Sequence, residues 1–190
     1  MKQVFLSRNG IEIKEVPEPI VERGKILIKN LYSCVSPGTE ISSLNSIKKN
    51  ILKKIIEKPQ VLKSLIDVLK KRGIKNTRGI VSRKLAEFYE LGYSSSGIIE
   101  KVGEGVKNFS KGDLVACSGG GFASHAEKIL VPENLVVKTK QKENLSLYST
   151  VALGSIAMHA VRRSKTSIGE TTLVVGLGFI GQITMQILRA

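Results

Sequence analysis

Short runs of β-branched and aliphatic residues, Gln3–Ser7, Ile11–Val16 and Lys25–Tyr32, open the chain, punctuated by Asn9-Gly10 and by Pro17 and Pro19. Extended-type residues bounded by turn formers predict strands, here a hairpin followed by a third strand. After Glu40 the period lengthens. Ile47, Ile51 and Ile55, then Val61, Leu65 and Leu69, recur every four residues with lysines between them, which predicts two or three helices over about 43–89. From Ser95 strands return in GIIEKVG, GDLVACSG, FASHAEKILVP and LVVKTK, each bounded by glycine, proline or charged turn residues. A small β-barrel or sandwich explains that spacing. The last part changes again, to a helix over Leu147–Arg163, a β-branched strand at Thr171–Val175 and a helix from about Phe179. The change of pattern places a domain boundary near Lys142, separating residues 1–142 from 143–190.

That final strand and helix flank TTLVVGLGFIG, which sets Gly176, Gly178 and Gly181 in GxGxxG spacing. The spacing alone is weak, but a strand before it and an apolar helix after it are the context in which it binds a dinucleotide. Gly176 would make the tight turn, Gly178 would let a pyrophosphate approach the backbone, and Gly181 would let helix and strand pack closely. The helix start at Phe179, Ile180 and Gly181 would supply amide donors. The plain alternative is a tight strand-to-helix turn with no ligand. An acidic residue for the ribose is expected about twenty residues beyond the glycines, past Ala190, so NAD and NADP are both open. A strand with one helix on each side cannot cover its own faces, so the nucleotide fold is expected to be incomplete in these residues.

The run GYSSSGIIEKVGEGVKNFSKGDLVA is more specific. With Gly92, Gly97, Val102, Gly103, Val106, Gly112, Asp113 and Val115 in place, it resembles the stretch GHExxGxVxxVGxxVxxxxxGDxV of the medium-chain dehydrogenase/reductase superfamily. The resemblance implies an α/β (α+β) chain: a GroES-like substrate domain with a helical insert, then the first strand and helix of a Rossmann domain. It further implies a nicotinamide cofactor, NAD or NADP, and hydride transfer on a small-molecule substrate. SPGTE at Ser36–Glu40, the helical insert and ELGYSSSG are similar to bi-domain oxidoreductases, which join a zinc-type dehydrogenase half to a Gfo/Idh/MocA-like half. That similarity points to further C-terminal domains and to a sugar-related or nucleotide-sugar substrate in surface polysaccharide synthesis.

Zinc-dependent members hold their metal with a cysteine before a Thr-Asp or Ser-Asp pair, the histidine of GHE, and a later cysteine or acid. Here Pro37 stands at the first position, Tyr93 and Ser94 replace His-Glu, and the third falls near Ala152–Ser155, where no thiolate, imidazole or carboxylate is present. A catalytic zinc of the family type is therefore not expected. A site built from Cys34, Cys117, His125 and His159 would need scattered residues to converge, and their spacing predicts a surface histidine at 125 and a packed one at 159. Without a Lewis acid, the substrate oxygen needs hydroxyl donors in the same place. The resemblance equates Thr39 with a hydroxyl that contacts substrate oxygen, and brings Tyr93 and Ser94 into the former metal pocket, with Tyr93 the first choice of proton donor. Glu40 would orient this network. The competing reading packs Tyr93 against the barrel and makes SPGTE only a turn. A noncatalytic nucleotide-binding or docking half, and a zinc-dependent alcohol dehydrogenase, are the rival functions.

Composition adds limits. Of the +14 net charge, much sits in residues 45–90, with 13 Lys or Arg against 4 Asp or Glu. Basic amphipathic helices suit an anionic membrane face, but these lack aromatic anchors, and a solvated lysine-rich face is preferred. No nucleic-acid module is recognisable, so no nucleic-acid partner is expected. Two cysteines make no disulfide framework, and no apolar run is long enough for a signal peptide or a span, which fits a reduced, cytoplasmic setting. A homo-oligomer is compatible with all of this.

Overall fold

A computed structural model describes residues 1–7, 10–48, 88–140 and 142–190. The expected insert over 43–89 falls mostly on residues 49–87, outside the described residues. At its edges the structure differs from the sequence reading. A helix, α1, already starts at Pro37 and runs to Lys48, and Phe88–Glu90 is a strand, β4.

The contacts divide the chain into two units. The smaller comprises Val4–Lys14 and Val35–Leu91. In it β1 (Lys2–Ser7) lies between β2 (Gly10–Glu15) and β4. Leu6 and Leu91 are buried there, and Phe5 meets Phe88 edge to face at 6.4 Å between ring centres. The Lys14 ammonium sits 3.2 Å above the Phe88 ring, so its charge is held against the ring's negative face.

The larger unit contains a five-stranded antiparallel sheet in the order β7-β3-β5-β6-β8. Its strands are β3 (Lys25–Ser33), β5 (Ser94–Val102), β6 (Leu114–Ser118), β7 (Lys128–Pro132) and β8 (Val136–Lys138). The sheet cannot be flat. Its two edge strands, β7 and β8, are joined by a single 3₁₀ turn, Glu133–Leu135. Four strand spacings would separate them by about 19 Å if flat, whereas Pro132 to Val136 spans at most about 14 Å fully extended. The sheet therefore curls, and its inner face closes around Ile26, Ile28, Ile99, Val115, Cys117, Ile129 and Val131. Fully burying such an aliphatic side chain contributes about 1.5–3 kcal/mol, which makes this cluster the main source of stability in the unit.

The GxVxxVG…GDxV motif is explained by this barrel. A Cβ on Gly103 would lie 2.6 Å from the Lys25 carbonyl oxygen, so only glycine lets the end of β5 reach the start of β3. The Asp113 carboxylate accepts the Ser110 amide at 2.8 Å, closing the turn before β6, and pairs with Lys138 on β8 at 2.8 Å. These two donors hold its carboxyl below the usual carboxylate range.

Beyond the barrel come α2 (Leu145–Tyr148), α3 (Val151–Ser164) and α4 (Phe179–Arg189). The expected single helix over Leu147–Arg163 is thus two, broken at Ser149–Thr150. Although the pattern changes near Lys142, α2 packs back on β3, β5 and β6, with Leu145 buried. Along α3, Ala152, Leu153 and Ala157 are buried, and the helix contacts β5 and β6 as well as α4. The expected strand at Thr171–Val175 does not form a ladder. A strand needs a partner, and among the described residues this segment pairs with none, leaving Leu173 and Val175 86% and 90% exposed.

Candidate functional site

The glycine loop is a sharp turn that runs directly into α4. Gly176 has φ of +99°, a region that side-chain-bearing residues rarely enter, and this turns the chain sharply out of the extended segment. Gly178 follows in extended conformation as the N-cap of α4, its carbonyl accepting the Gln182 amide at 3.0 Å. The Gln182 side chain donates to the Leu177 carbonyl at 3.1 Å and braces the turn. A Cβ on Gly181 would fall on the Gly176 carbonyl oxygen, so helix and loop touch backbone to backbone. A Cβ on Gly178 would meet nothing within 4 Å. The space over Gly178 is therefore open, and the amides of Phe179, Ile180 and Gly181 emerge at a helix start with no carbonyl of their own helix to bond. Neutral donors at the positive end of a helix dipole fit a diphosphate.

The hydroxyl candidates divide. Thr39 lies in the first turn of α1 and is exposed; its Oγ1 accepts a hydrogen bond from Ser36 Oγ at 3.3 Å. Glu40 is buried, and its Oε1 accepts the Ser36 amide at 3.0 Å while Ser36's carbonyl takes the Glu40 amide, also at 3.0 Å. SPGTE is thus a helix start and more than a turn. Pro37 occupies the first helical position where its missing N–H is harmless, and the Glu40 carboxylate reaches back to the Ser36 amide that precedes it.

Tyr93 is half-buried at the entry to β5, and its carbonyl accepts the Gly119 amide at 2.9 Å. Ser94 is different. It is fully buried, its Oγ donates to the Ser149 carbonyl at 2.5 Å and accepts the Ala152 amide at 3.1 Å. Ala152 is in the first turn of α3, whose N-cap Thr150 makes no side-chain cap, so Ser94 caps that helix from the barrel. Ser96, equally buried, donates to the Leu145 carbonyl. Ser94, expected to offer a hydroxyl to substrate, thus donates its proton to one backbone carbonyl and accepts one backbone amide. Two segments that the resemblance equated with metal-ligand positions are joined here directly by hydrogen bonds.

Ser95, the middle serine, faces Cys117 across the β5–β6 ladder. Burial pushes the Cys117 thiol up to about 12, and the Ser95 hydroxyl offsets only part of that. Such a thiol stays protonated at neutral pH and is a poor metal ligand. Among the described residues, no three His, Cys, Asp or Glu side chains converge on a point.

The histidines exchange the places expected of them. His159 is exposed on α3, while His125 is half-buried in the loop before β7, its Nδ1 2.8 Å from Ser33 Oγ. The His125 ring packs over Gly92, beside Tyr93, at a position where a Cβ would come within 2.9 Å of the ring. Neither spacing nor periodicity marked this pair, because Ser33 and His125 lie 92 residues apart.

Comparison with known proteins agrees with the fold and motifs. Residues 68–141 match the alcohol dehydrogenase GroES-like domain. The rat (Rattus norvegicus) quinone oxidoreductase is 38% identical over 117 residues, covering 59% of this chain and 35% of the rat protein. The (R,R)-butanediol dehydrogenase of Bacillus subtilis is 29% identical over 126 residues, 53% of this chain and 36% of that protein. A mycobacterial protein solved with NADPH superposes with a TM-score of 0.67 at 18% identity, over 98% of this chain and 49% of that one. The matched part thus spans about a third of the curated relatives' length and half that of the solved structure.

Proposed function

We propose that the chain is a member of the medium-chain dehydrogenase/reductase superfamily of oxidoreductases, on its match to the alcohol dehydrogenase GroES-like domain over residues 68–141 and its likeness to oxidoreductases, and that it is the front half of a nicotinamide-dependent enzyme acting on an alcohol or carbonyl. The observation that carries this reading is the glycine loop: the left-handed Gly176, the open space over Gly178 and the backbone contact at Gly181 set three helix-start amides directly after a turn with no side chain at Gly178. NAD or NADP, when bound, exchanges a hydride with the substrate carbon. The amides of Phe179, Ile180 and Gly181 would hold its diphosphate, approaching over the open Gly178.

The substrate oxygen gains or loses a proton in the same reaction, and a group of the protein must hold that proton. Tyr93 is the first candidate, since its phenol has no structural commitment comparable to that of Ser94. Thr39, exposed at the start of α1, is the second, with Glu40 fixing the helix start that carries it. Ser94 ranks behind both, since its hydroxyl is bonded to the Ser149 carbonyl and the Ala152 amide. A zinc-free mechanism is part of this proposal. It is supported by donor chemistry, since the positions equated with metal ligands hold Pro37, Tyr93, an engaged Ser94 and the Ala152–Ser155 helix turn. The sugar-related substrate and the membership of a longer bi-domain protein rest on the resemblance of SPGTE, the helical insert and ELGYSSSG.

The test is made on the full-length protein. Titration with NAD(H) and NADP(H) should show saturable binding, and absence of affinity for both would end the oxidoreductase reading. Tyr93→Phe and Thr39→Ala should lower turnover, the former by about 10²-fold or more, as for loss of a positioned proton donor. Unchanged rates would remove those assignments, and stoichiometric zinc in the active protein would reverse the metal proposal.

A further inference from the structure

The serine run at the start of β5 does something the reaction reading does not assign. Ser94 and Ser96 lie two apart on one strand, so their side chains leave the same face of the sheet. Both hydroxyls are buried, and both end on one short segment: Ser96 on the Leu145 carbonyl, Ser94 on the Ser149 carbonyl and the Ala152 amide. Three hydrogen bonds therefore fasten the stretch from the start of α2 to the first turn of α3 onto the barrel. From there α3 runs between the barrel strands β5 and β6 on one side and α4 on the other. The first turn of α4 is in turn locked to the glycine loop by the backbone contact of Gly181 with Gly176.

We infer that Ser94 and Ser96 are positioning residues that set, through α3 and α4, where the nucleotide-binding amides sit with respect to the barrel. The inference rests on the nucleotide-binding reading above. A run of three serines is an unusual filling for a buried strand, where apolar residues are the default. Without Ser94 the start of α3 and the Ser149 carbonyl would each lose a buried partner, while without Ser96 the Leu145 carbonyl would keep only the Ser149 amide. The barrel thus reaches the glycine loop through backbone groups whose geometry tolerates little displacement.

The experiment uses the full-length protein with Ser94→Ala and Ser96→Ala, measured well below the melting temperature of each variant. NADPH and NADH dissociation constants are read beside amide hydrogen exchange at Ala152 and at Phe179–Gln182. Coupling through packed helices predicts an affinity loss of about tenfold for Ser94→Ala, less for Ser96→Ala, and faster exchange at Phe179–Gln182. The nearly isosteric Ser94→Cys should recover part of both, and carries the test if Ser94→Ala does not fold. A lower melting temperature with unchanged affinity and unchanged exchange at Phe179–Gln182 would overturn the inference, because it would mean the serines only stabilise the barrel. If the wild type binds no nucleotide, the functional reading fails. The positioning role then stands or falls on whether exchange at Phe179–Gln182 responds to Ser94→Ala.

Discussion

Two single-methyl substitutions in the glycine loop separate its folding from its binding. In Gly181→Ala the new Cβ falls on the Gly176 carbonyl oxygen and 3.0 Å from the Gly176 carbonyl carbon. Restoring van der Waals contact requires the loop or the helix start to move by roughly 1.5 Å. Overpacking of this kind costs about 1–3 kcal/mol, against about 1 kcal/mol gained by replacing glycine with alanine inside a helix. The net loss of stability is therefore about 1 kcal/mol. The displacement also spoils at least one amide donor to a charged phosphate, which contributes about 1.5–3 kcal/mol, so affinity should fall about tenfold to a hundredfold. Gly178→Ala is the contrasting case. Its φ of −68° suits any residue and its Cβ would meet nothing within 4 Å. Its stability should stay within about 0.5 kcal/mol of wild type, while the methyl occupies the space through which a diphosphate would approach and weakens binding. Urea unfolding and nucleotide titration of the full-length variants decide the matter. Wild-type affinity in Gly178→Ala, together with wild-type stability in Gly181→Ala, would show the reasoning to be wrong.

Three further outcomes follow from the described geometry. Glu40→Ala removes the carboxylate that accepts the Ser36 amide and should cost about 1 kcal/mol in urea unfolding, as for loss of a helix cap, while Glu40→Gln keeps an acceptor and should lose less. The Asp113 carboxyl is held below its ordinary range by Lys138 and the Ser110 amide, so its contribution is complete above the unfolded-state value and is lost as pH falls through the folded-state one. Thermal melting of Asp113→Asn should accordingly lie below wild type at neutral pH and converge with it in acid. Cys117, fully buried with its thiol pushed up to about 12, should resist a maleimide reagent in the native protein and react on unfolding; labelling of Cys117 at the rate of a free thiol would contradict its burial.

How far the sequence was readable depended on how local each feature was. The barrel strands were located to within a few residues because turn formers bracket them: Lys25–Tyr32 is observed as Lys25–Ser33, and GDLVACSG contains Leu114–Ser118. The backbone of the glycine loop was legible for the same reason, since the turn at Gly176 and the close contact at Gly181 depend on neighbours within six residues. Features fixed by distant partners were not. Phe88–Glu90 pairs with β1, more than eighty residues earlier, and its three residues show no alternation. Thr171–Val175 has strand composition but no partner strand among the described residues, so composition alone misplaced it. The helix start at Ser36–Glu40 was within reach, because serine, proline and a following glutamate are start signals, but Pro37-Gly38 read as a turn. The backbone partners of Ser94 were not legible either. Equating positions with a family motif tells which residue occupies a place and says nothing about where its hydroxyl points. The His125–Ser33 contact, closed across 92 residues, was invisible for the same reason.

The dependence of the barrel on Leu145–Ala152 restricts how this protein can be dissected. An excised version ending at residue 142, where the pattern of the chain changes, would lose Leu145 and Ala152 from the outer face of β5 and β6 and hand the Ser94 and Ser96 hydroxyls, now bonded to that segment, to solvent. Transplanting the barrel into another scaffold, or producing it alone for screening, would therefore need the first turn of the helix at Val151 carried along as an integral lid.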